Sequence, residues 1–92
     1  MNKIEKHKEI VDGLNKTYAK KNSDYGDSFS DSLDEFGIVA SVVRMSDKMN
    51  RLKSLSLKNN KQEVNDESMQ DTLLDLANYA IMTAMWLEPK EE

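Results

Sequence analysis

Apolar residues recur at helical spacing in three long segments of the chain. The first segment carries one apolar stripe, made of Ile4, Val11, Leu14 and Tyr18. This stripe predicts an amphipathic helix over residues 2–20. Residues 21–28 contain turn formers and a glycine, Gly26, that can adopt a positive φ, so they predict a loop. A short helix is expected over residues 30–36, ending at Gly37.

Two later segments show the same periodicity. Residues 38–55 predict a core-facing helix, with apolar residues at steps of four and three: Ile38, Val42, Met45, Met49 and Leu52. Residues 58–66 are polar and predict a loop. Asp66 or Ser68 can cap a last helix that runs to Pro89. Its broad apolar face comprises Met69, Leu73, Leu76, Ala77, Ala80, Ala84 and Leu87.

These patterns predict an all-α fold, because no useful stretch alternates with the period of a strand. We expect a small bundle of three main helices plus one short helix, in a single domain spanning residues 1–92. The last helix has further apolar residues outside its main face, namely Leu74, Ile81, Met85 and Trp86. So short a chain can hardly cover all of them, which predicts a homo-oligomer; a crowded intramolecular core is the alternative.

Composition narrows the possible functions. The 92 residues include no cysteine and one histidine, which excludes disulfides, thiolate metal sites and most triad chemistry. The net charge of −4 argues against direct nucleic-acid binding through a cationic surface. Residues 76–87 form the longest apolar stretch, which is too short to span a bilayer. We therefore expect no membrane partner and a cytoplasmic location.

Two lines of polar residues stand on helices otherwise built for burial. Asp71, Asp75 and Asn78 share a face of the last helix. Carboxylates one turn apart can hold Mg²⁺, the one candidate cofactor, but an exposed stripe or a salt bridge explains them equally well. Arg44, Lys48 and Arg51 form a cationic line on the preceding helix. Antiparallel packing would turn the two lines toward each other, as an ion-pair network or as a site for an anionic ligand.

Aromatic and polar residues of the predicted loop add to this site. Tyr25 or Phe29 can stack on a base, or else close the end of the bundle. The candidate ligand-binding residues are Asn22, Tyr25, Asp27, Arg44, Lys48, Arg51, Asn78 and Tyr79, and the candidate metal ligands are Asp71 and Asp75.

Three stretches together resemble the nucleotide modification associated domain 1 family of small phage and bacterial proteins. They read KKNSDYGDSF at residues 20–29, RMSDKMNRL at 44–52 and DESMQDTLLDLANYAI at 66–81, and the resemblance extends from about Lys20 to Trp86. It implies a phage setting and a link to nucleotides, but it names no reaction.

A more distant similarity is to the all-α nucleoside triphosphate pyrophosphohydrolases of the MazG and dUTPase type. Those enzymes hold Mg²⁺ with two carboxylate pairs on successive helices. Asp71 and Asp75 can represent one pair, at a spacing of four in place of three. The other pair is missing from the cationic helix; Asp31 and Asp34 on the short helix are candidate substitutes. A single pair would hold the metal weakly and would not readily activate water.

Three functions remain open. The leading hypothesis is a binder that sequesters or senses a nucleotide or a nucleotide-derived signal, by analogy including one used in host defence. The second is a Mg²⁺-dependent nucleotide pyrophosphohydrolase. The third is a protein-binding inhibitor of a host factor. The departure from the enzymes' carboxylate pattern favours binding over catalysis.

Overall fold

The computed structural model describes residues 2–57 and 66–89, and within these ranges the regular structure is entirely helical. The helices are α1 (Lys3–Tyr25), α2 (Ser28–Phe36), α3 (Val39–Leu57) and α4 (Asp66–Leu87). The all-α prediction is thereby confirmed. The loop predicted at residues 58–66 lies outside the described residues except for Asp66. For Tyr25, Asp66 and Glu67, the description covers the backbone alone.

Helix α1 is longer than predicted, so the prediction of a loop from residue 21 is wrong. Asn2 caps its first turn, where the Glu5 backbone N–H donates to Asn2 Oδ1 at 2.8 Å. Lys20 pairs with Asp24 one turn later, at 3.3 Å, across the predicted break. The helix ends only where Gly26 adopts a φ of 72°, a conformation that other residues rarely take.

Helix α2 follows almost at once and ends as predicted. It begins two residues earlier than expected, at Ser28, and stops at Gly37, whose φ is 82°. The backbone N–H of Gly37 donates to the carbonyl of Leu33 at 2.8 Å, which closes the last turn. Two glycines with positive φ therefore fix the limits of the turns on either side of α2.

Helices α3 and α4 form an antiparallel pair with the most extensive contact in the described structure. Residue numbers fall on α4 as they rise on α3, since Ser41 bonds Thr83 and Arg51 bonds Thr72. Both α4 threonines are buried, at 7 % and 3 % exposure, and Ser41 is fully buried. Small hydroxyl side chains thus occupy the contact line between the two helices.

The two threonines use their hydroxyls in the same way. Thr83 donates to the carbonyl of Tyr79 at 2.7 Å, and Thr72 donates to the carbonyl of Ser68 at 2.8 Å. Each hydroxyl has a single hydrogen, so its oxygen is left to accept a bond from α3. The donors from α3 are therefore the hydroxyl of Ser41 and, at 3.2 Å, the Nε of Arg51.

The apolar core is small and lies on one side of this pair. It consists of Leu14 from α1 and of Phe29 and Leu33 from α2, all less than 9 % exposed. Helix α2 packs against both α3 and α4, whereas α1 packs chiefly against α4. The N-terminal half of α1 is exposed, with Ile4 at 81 %.

The apolar stripe of α3 does not face this core, so that prediction is wrong. Ile38, Val42 and Met49 are 46 %, 52 % and 43 % exposed, while Met45 and Leu52 are half-buried. The reason is geometric. Ser41 and Lys48 define the side of α3 that is turned to α4, and the stripe lies roughly 80° around the helix from them at 3.6 residues per turn.

The apolar face of α4 is also uncovered over much of its length. Leu73 and Leu87 are exposed at 49 % and 61 %, and Ala80 and Ala84 are exposed as well. The residues outside that face divide into two kinds: Ile81 and Met85 are exposed, whereas Leu74 and Trp86 are half-buried. Trp86 is tied to α2, since its Nε1 donates to Asp34 Oδ1 at 2.9 Å.

No helix of the described segments combines the length and the apolar character needed to cross a membrane.

We expect the contact between Ser41 and Thr83 to show a characteristic double-mutant pattern. Thr83→Val keeps the side-chain shape but leaves the buried Ser41 hydroxyl without its acceptor, at a cost of about 1–3 kcal/mol in the free energy of unfolding. Adding Ser41→Ala removes the stranded donor and should recover part of that loss. Chemical denaturation measures both. A double variant whose loss of stability equals or exceeds the sum of the two single losses would contradict this hydrogen bond.

Candidate functional site

A cavity of about 230 Å³ lies on the side of the α3–α4 pair that α1 and α2 cover. Every helix and the turn between α1 and α2 contribute to its wall. The lining residues are Tyr18, Lys21, Asn22, Gly26, Asp27, Ser28, Phe29, Arg44, Asp75, Asn78, Tyr79 and Met82. Helix crossing therefore gathers residues that are up to 64 positions apart in the chain.

Two stacked aromatic rings form the apolar part of the wall. Phe29 and Tyr79 lie with ring centroids 5.5 Å apart and an interplanar angle of 8°. The guanidinium of Arg44 sits over the Phe29 ring, 5.6 Å from its centroid. This contact holds a cation at the edge of an aromatic surface. Planar rings and a neighbouring guanidinium suit a ligand that has both an aromatic and an anionic part.

Amide groups and a lysine supply polar contacts around these rings. Asn78 is fixed by α1, because its Nδ2 donates to the carbonyl of Leu14 at 3.3 Å. That bond uses one donor of the amide and sets which way the group faces. Asn22 and Lys21 line the opposite side from the last turns of α1. The side-chain amide of Asn22 has a donor and an acceptor that can both hydrogen-bond to the edge of a base.

The charged groups of the cavity nearly balance. Lys21 and Arg44 stand against Asp27 and Asp75. Lys48 lies just beyond the wall and pairs with Asp75, Nζ to Oδ2 at 3.0 Å, which neutralises that carboxylate. Counting this partner, the site carries one positive charge in excess. It is thus electrostatically suited to a ligand of low negative charge.

Six of the ten residues predicted for the site line this cavity: Asn22, Asp27, Arg44, Asp75, Asn78 and Tyr79. The others lie elsewhere. Lys48 contacts the cavity only through Asp75, Arg51 is bonded to Thr72, and Asp71 is exposed. The side chain of Tyr25 is outside the described structure. The predicted pairing of the cationic and anionic lines occurs at one place, between Lys48 and Asp75.

The donor set fits Mg²⁺ poorly. Among the acidic and histidine side chains that the structure describes, no group of three or more comes together in a way that could hold a metal ion. Asp75 is engaged by Lys48, which competes with a cation for the carboxylate. Asp34, a candidate for the missing pair, accepts the hydrogen bond from Trp86. Metal ligation by Asp71 and Asp75 stays a prediction.

Sequence reasoning missed two residues of α1 that line the cavity, Tyr18 and Lys21. They share a helical face with Asn22, at steps of three and one, but the helix was expected to end before that face was complete. The sequence does contain the signal, since Gly26 is the first residue after Lys20 that favours a helix end. Met82, which also lines the cavity, was not predicted either.

Comparisons of the chain with curated proteins and with solved structures gave no match. The similarity to the all-α pyrophosphohydrolases therefore stays an expectation. A family profile does match, from residue 21 to residue 87, which is most of the chain. The matched segment includes α2, α3, α4 and all cavity residues except Tyr18. The chain belongs to the nucleotide modification associated domain 1 family.

Proposed function

We propose that the protein binds a nucleotide or a nucleotide-derived molecule in the cavity between α1, α2 and the α3–α4 pair. The observation that carries this proposal is the presence, in one cavity wall, of a stacked aromatic pair, an arginine above it and two asparagines. Family membership supports the same ligand class, because the family description associates the domain with nucleotide modification.

The size and charge of the cavity favour a small ligand. Its volume of about 230 Å³ lies below the roughly 300–1,000 Å³ that sites for drug-sized ligands enclose. One base and its sugar suit this space better than a larger molecule. A single phosphate near Lys21 and Arg44 would match the small positive excess, whereas a triphosphate would bring more negative charge than the site balances. We therefore expect a nucleoside monophosphate to bind best.

Binding alone is sufficient for sequestration or sensing, which is the role we propose, including the capture of a nucleotide signal in a phage-infected host cell. Hydrolysis is the alternative and would require Mg²⁺ at Asp71 and Asp75. The ion pair between Lys48 and Asp75 weighs against that alternative. We also propose that the chain works as a homo-oligomer, because apolar side chains of α3 and α4 stay exposed.

A ligand screen tests this function. The purified protein is incubated with nucleosides, nucleoside mono-, di- and triphosphates and cyclic dinucleotides, with and without Mg²⁺. Thermal shift reports binding and mass spectrometry reports the state of the ligand. We expect stabilisation with recovery of intact ligand. Release of pyrophosphate would identify the enzyme instead, and a screen without any stabilisation would overturn nucleotide binding.

We expect Lys21→Ala to weaken binding of the best ligand in that screen. Loss of one charge-assisted hydrogen bond costs about 1.5–3 kcal/mol, which is roughly a 10- to 150-fold rise in Kd. Lys16→Ala is the matched control, since it removes the same charge from an exposed position of the same helix that does not line the cavity. Isothermal titration calorimetry measures both. Equal losses in the two variants would point to a general charge effect and not to the cavity.

The two arginines of α3 give a second comparison. Arg44→Ala should weaken binding as strongly as Lys21→Ala, because Arg44 lines the cavity. Arg51 was predicted to contact the ligand from its place on the cationic line, yet it is bonded to Thr72. An equal loss for Arg51→Ala would show that the ligand extends along α3. Unchanged affinity would confine its anionic part to the cavity.

The ion pair between Lys48 and Asp75 should contribute measurable stability. In a double-mutant cycle with Lys48→Met and Asp75→Asn, we expect a coupling of about 0.2–1 kcal/mol that decreases in high salt. The more exposed pair of Lys8 and Asp12 is the control and should couple less. Mg²⁺-dependent nucleotide hydrolysis that disappears in Asp75→Asn would assign this carboxylate to a metal site instead.

A further inference from the structure

Five apolar side chains of α3, three of them exposed and two half-buried, form a row with the spacing of a helix interface. Ile38, Val42, Met45, Met49 and Leu52 follow one another at steps of four, three, four and three residues. This alternation is the heptad pattern that keeps one face of a helix turned toward a partner helix. Within the described chain, however, α3 turns a different side to α4, the side that carries Ser41 and Lys48. The row is therefore not used in the contact with α4 and is available to a different partner.

Helix α4 carries a second row of the same length. Leu73, Ala77, Ala80, Ala84 and Leu87 are also spaced by four, three, four and three residues. Four of the five are exposed, and Ala77 is half-buried. The three central alanines make this row shallow, whereas the row on α3 is built from larger side chains. The two rows therefore differ in relief: one protrudes and the other is recessed.

Both rows lie on the same side of the α3–α4 pair. At 3.6 residues per turn, the α3 row is offset by roughly 80° from the side that faces α4. The α4 row is offset by roughly 90° in the same rotational sense from the side that carries Thr72 and Thr83. Because the two helices are antiparallel, a rotation in the same sense about each helix axis, starting from the contact line, leads to the same side of the pair. Arg44 and Asn78 are offset in the opposite sense, so the cavity lies on the other side.

We propose that this uncovered face, made of the two rows, binds the same face of a second copy of the chain. The dimer would be a four-helix bundle in which each α3 packs against α4 of the other copy. This arrangement rests on the proposed homo-oligomer and specifies its interface. It does not depend on the ligand, because the cavity opens on the opposite side.

The shapes of the two rows favour a second copy over a foreign partner. A two-fold axis parallel to the helices places the protruding α3 row of one copy against the recessed alanine row of the other. Large side chains then meet small ones over the central turns of the contact, where the three alanines lie, and this is the complementarity that close packing requires. Both contacts are made at once, because the interface of a two-fold dimer is self-complementary. Adjacent helices also run antiparallel throughout the bundle.

The charge and size of the face fit the same occupant. None of its ten positions carries a charged side chain, so two copies of net charge −4 meet without like charges at the centre of the interface. Each row is about 21 Å long and the two helices together are about 20 Å wide. The projection of about 400 Å² is a lower bound on the accessible area of such a corrugated surface, compared with the roughly 800 Å² per partner of a standard interface.

Ala80→Glu tests the proposed face. Residue 80 is at the centre of the alanine row, and glutamate is a good helix former, so the change adds a charge without breaking α4. Ala19→Glu is the matched control at an exposed position of α1. Analytical ultracentrifugation should give a dimer for the wild type and for Ala19→Glu, and a monomer for Ala80→Glu. Circular dichroism and thermal melting without ligand establish that each variant is folded.

Each other outcome overturns a defined part of the proposal. If the wild type sediments as a monomer, both the homo-oligomer and the face are wrong. If Ala80→Glu keeps the mass of a wild-type oligomer, the oligomer stands but this face is not its interface. Nucleotide binding is measured separately, so its failure leaves the interface untouched.

Cross-linking tests the pairing of the rows. The chain has no cysteine, so single introduced cysteines give unambiguous products. Met45→Cys and Ala80→Cys are refolded together and oxidised mildly. We expect a mixed disulfide dimer in the mixture and little dimer from either variant alone. Efficient cross-linking of Ala80→Cys with itself would overturn the pairing of α3 with α4, in favour of alanine rows that face each other.

Discussion

The hydroxyl contacts between α3 and α4 determine how the rest of the chain is arranged. Because Ser41 and Thr83 meet at the contact line and are almost wholly buried, small side chains occupy the space between the helices. Large apolar side chains must then lie to either side of the pair. On one side α1 and α2 cover them with Leu14, Phe29 and Leu33, and on the other side they remain exposed.

This constraint explains why the cavity lies where it does. Asp75 and Tyr79 flank the contact line of α4 on the covered side, and Arg44 does the same on α3. Helix α2 brings Phe29 onto Tyr79, while α1 crosses farther out and leaves space beneath its last turns. Three of the four cations of α3 consequently meet three different partners: the Phe29 ring, the Asp75 carboxylate and the Thr72 hydroxyl.

Periodicity in the sequence was enough to predict the helices, but it did not predict how they face one another. The stripe from Ile38 to Leu52 has the spacing of a buried face, and apolar spacing cannot tell burial within a chain from burial between chains. The true contact residues, Ser41 and Thr83, are polar and look like surface positions in a sequence. They become buried only because each hydroxyl finds a bond across or along the helices.

The residues of the candidate site could be predicted better than the faces by which the helices pack. Polar residues at regular steps on α3 and α4 stand out against apolar neighbours, and Arg44, Asp75 and Asn78 do line one cavity. The contribution of α1 was missed at Lys21 because the helix was expected to stop there. Asn, Ser and Asp weaken a helix only by tenths of a kcal/mol each, whereas the turn itself requires the positive φ of Gly26.

Binding of a ligand in the cavity, as we propose, would be coupled to folding through α1. Among the described helices, α1 packs chiefly on α4, and its N-terminal half has little cover. A ligand held between Lys21 on α1 and Arg44 on α3 would add a link that the packing provides only weakly. Ligand binding would therefore act largely by holding α1 in place against the α3–α4 pair. Since the uncovered apolar face is on the opposite side of that pair, such ordering can occur without rearranging a dimer interface.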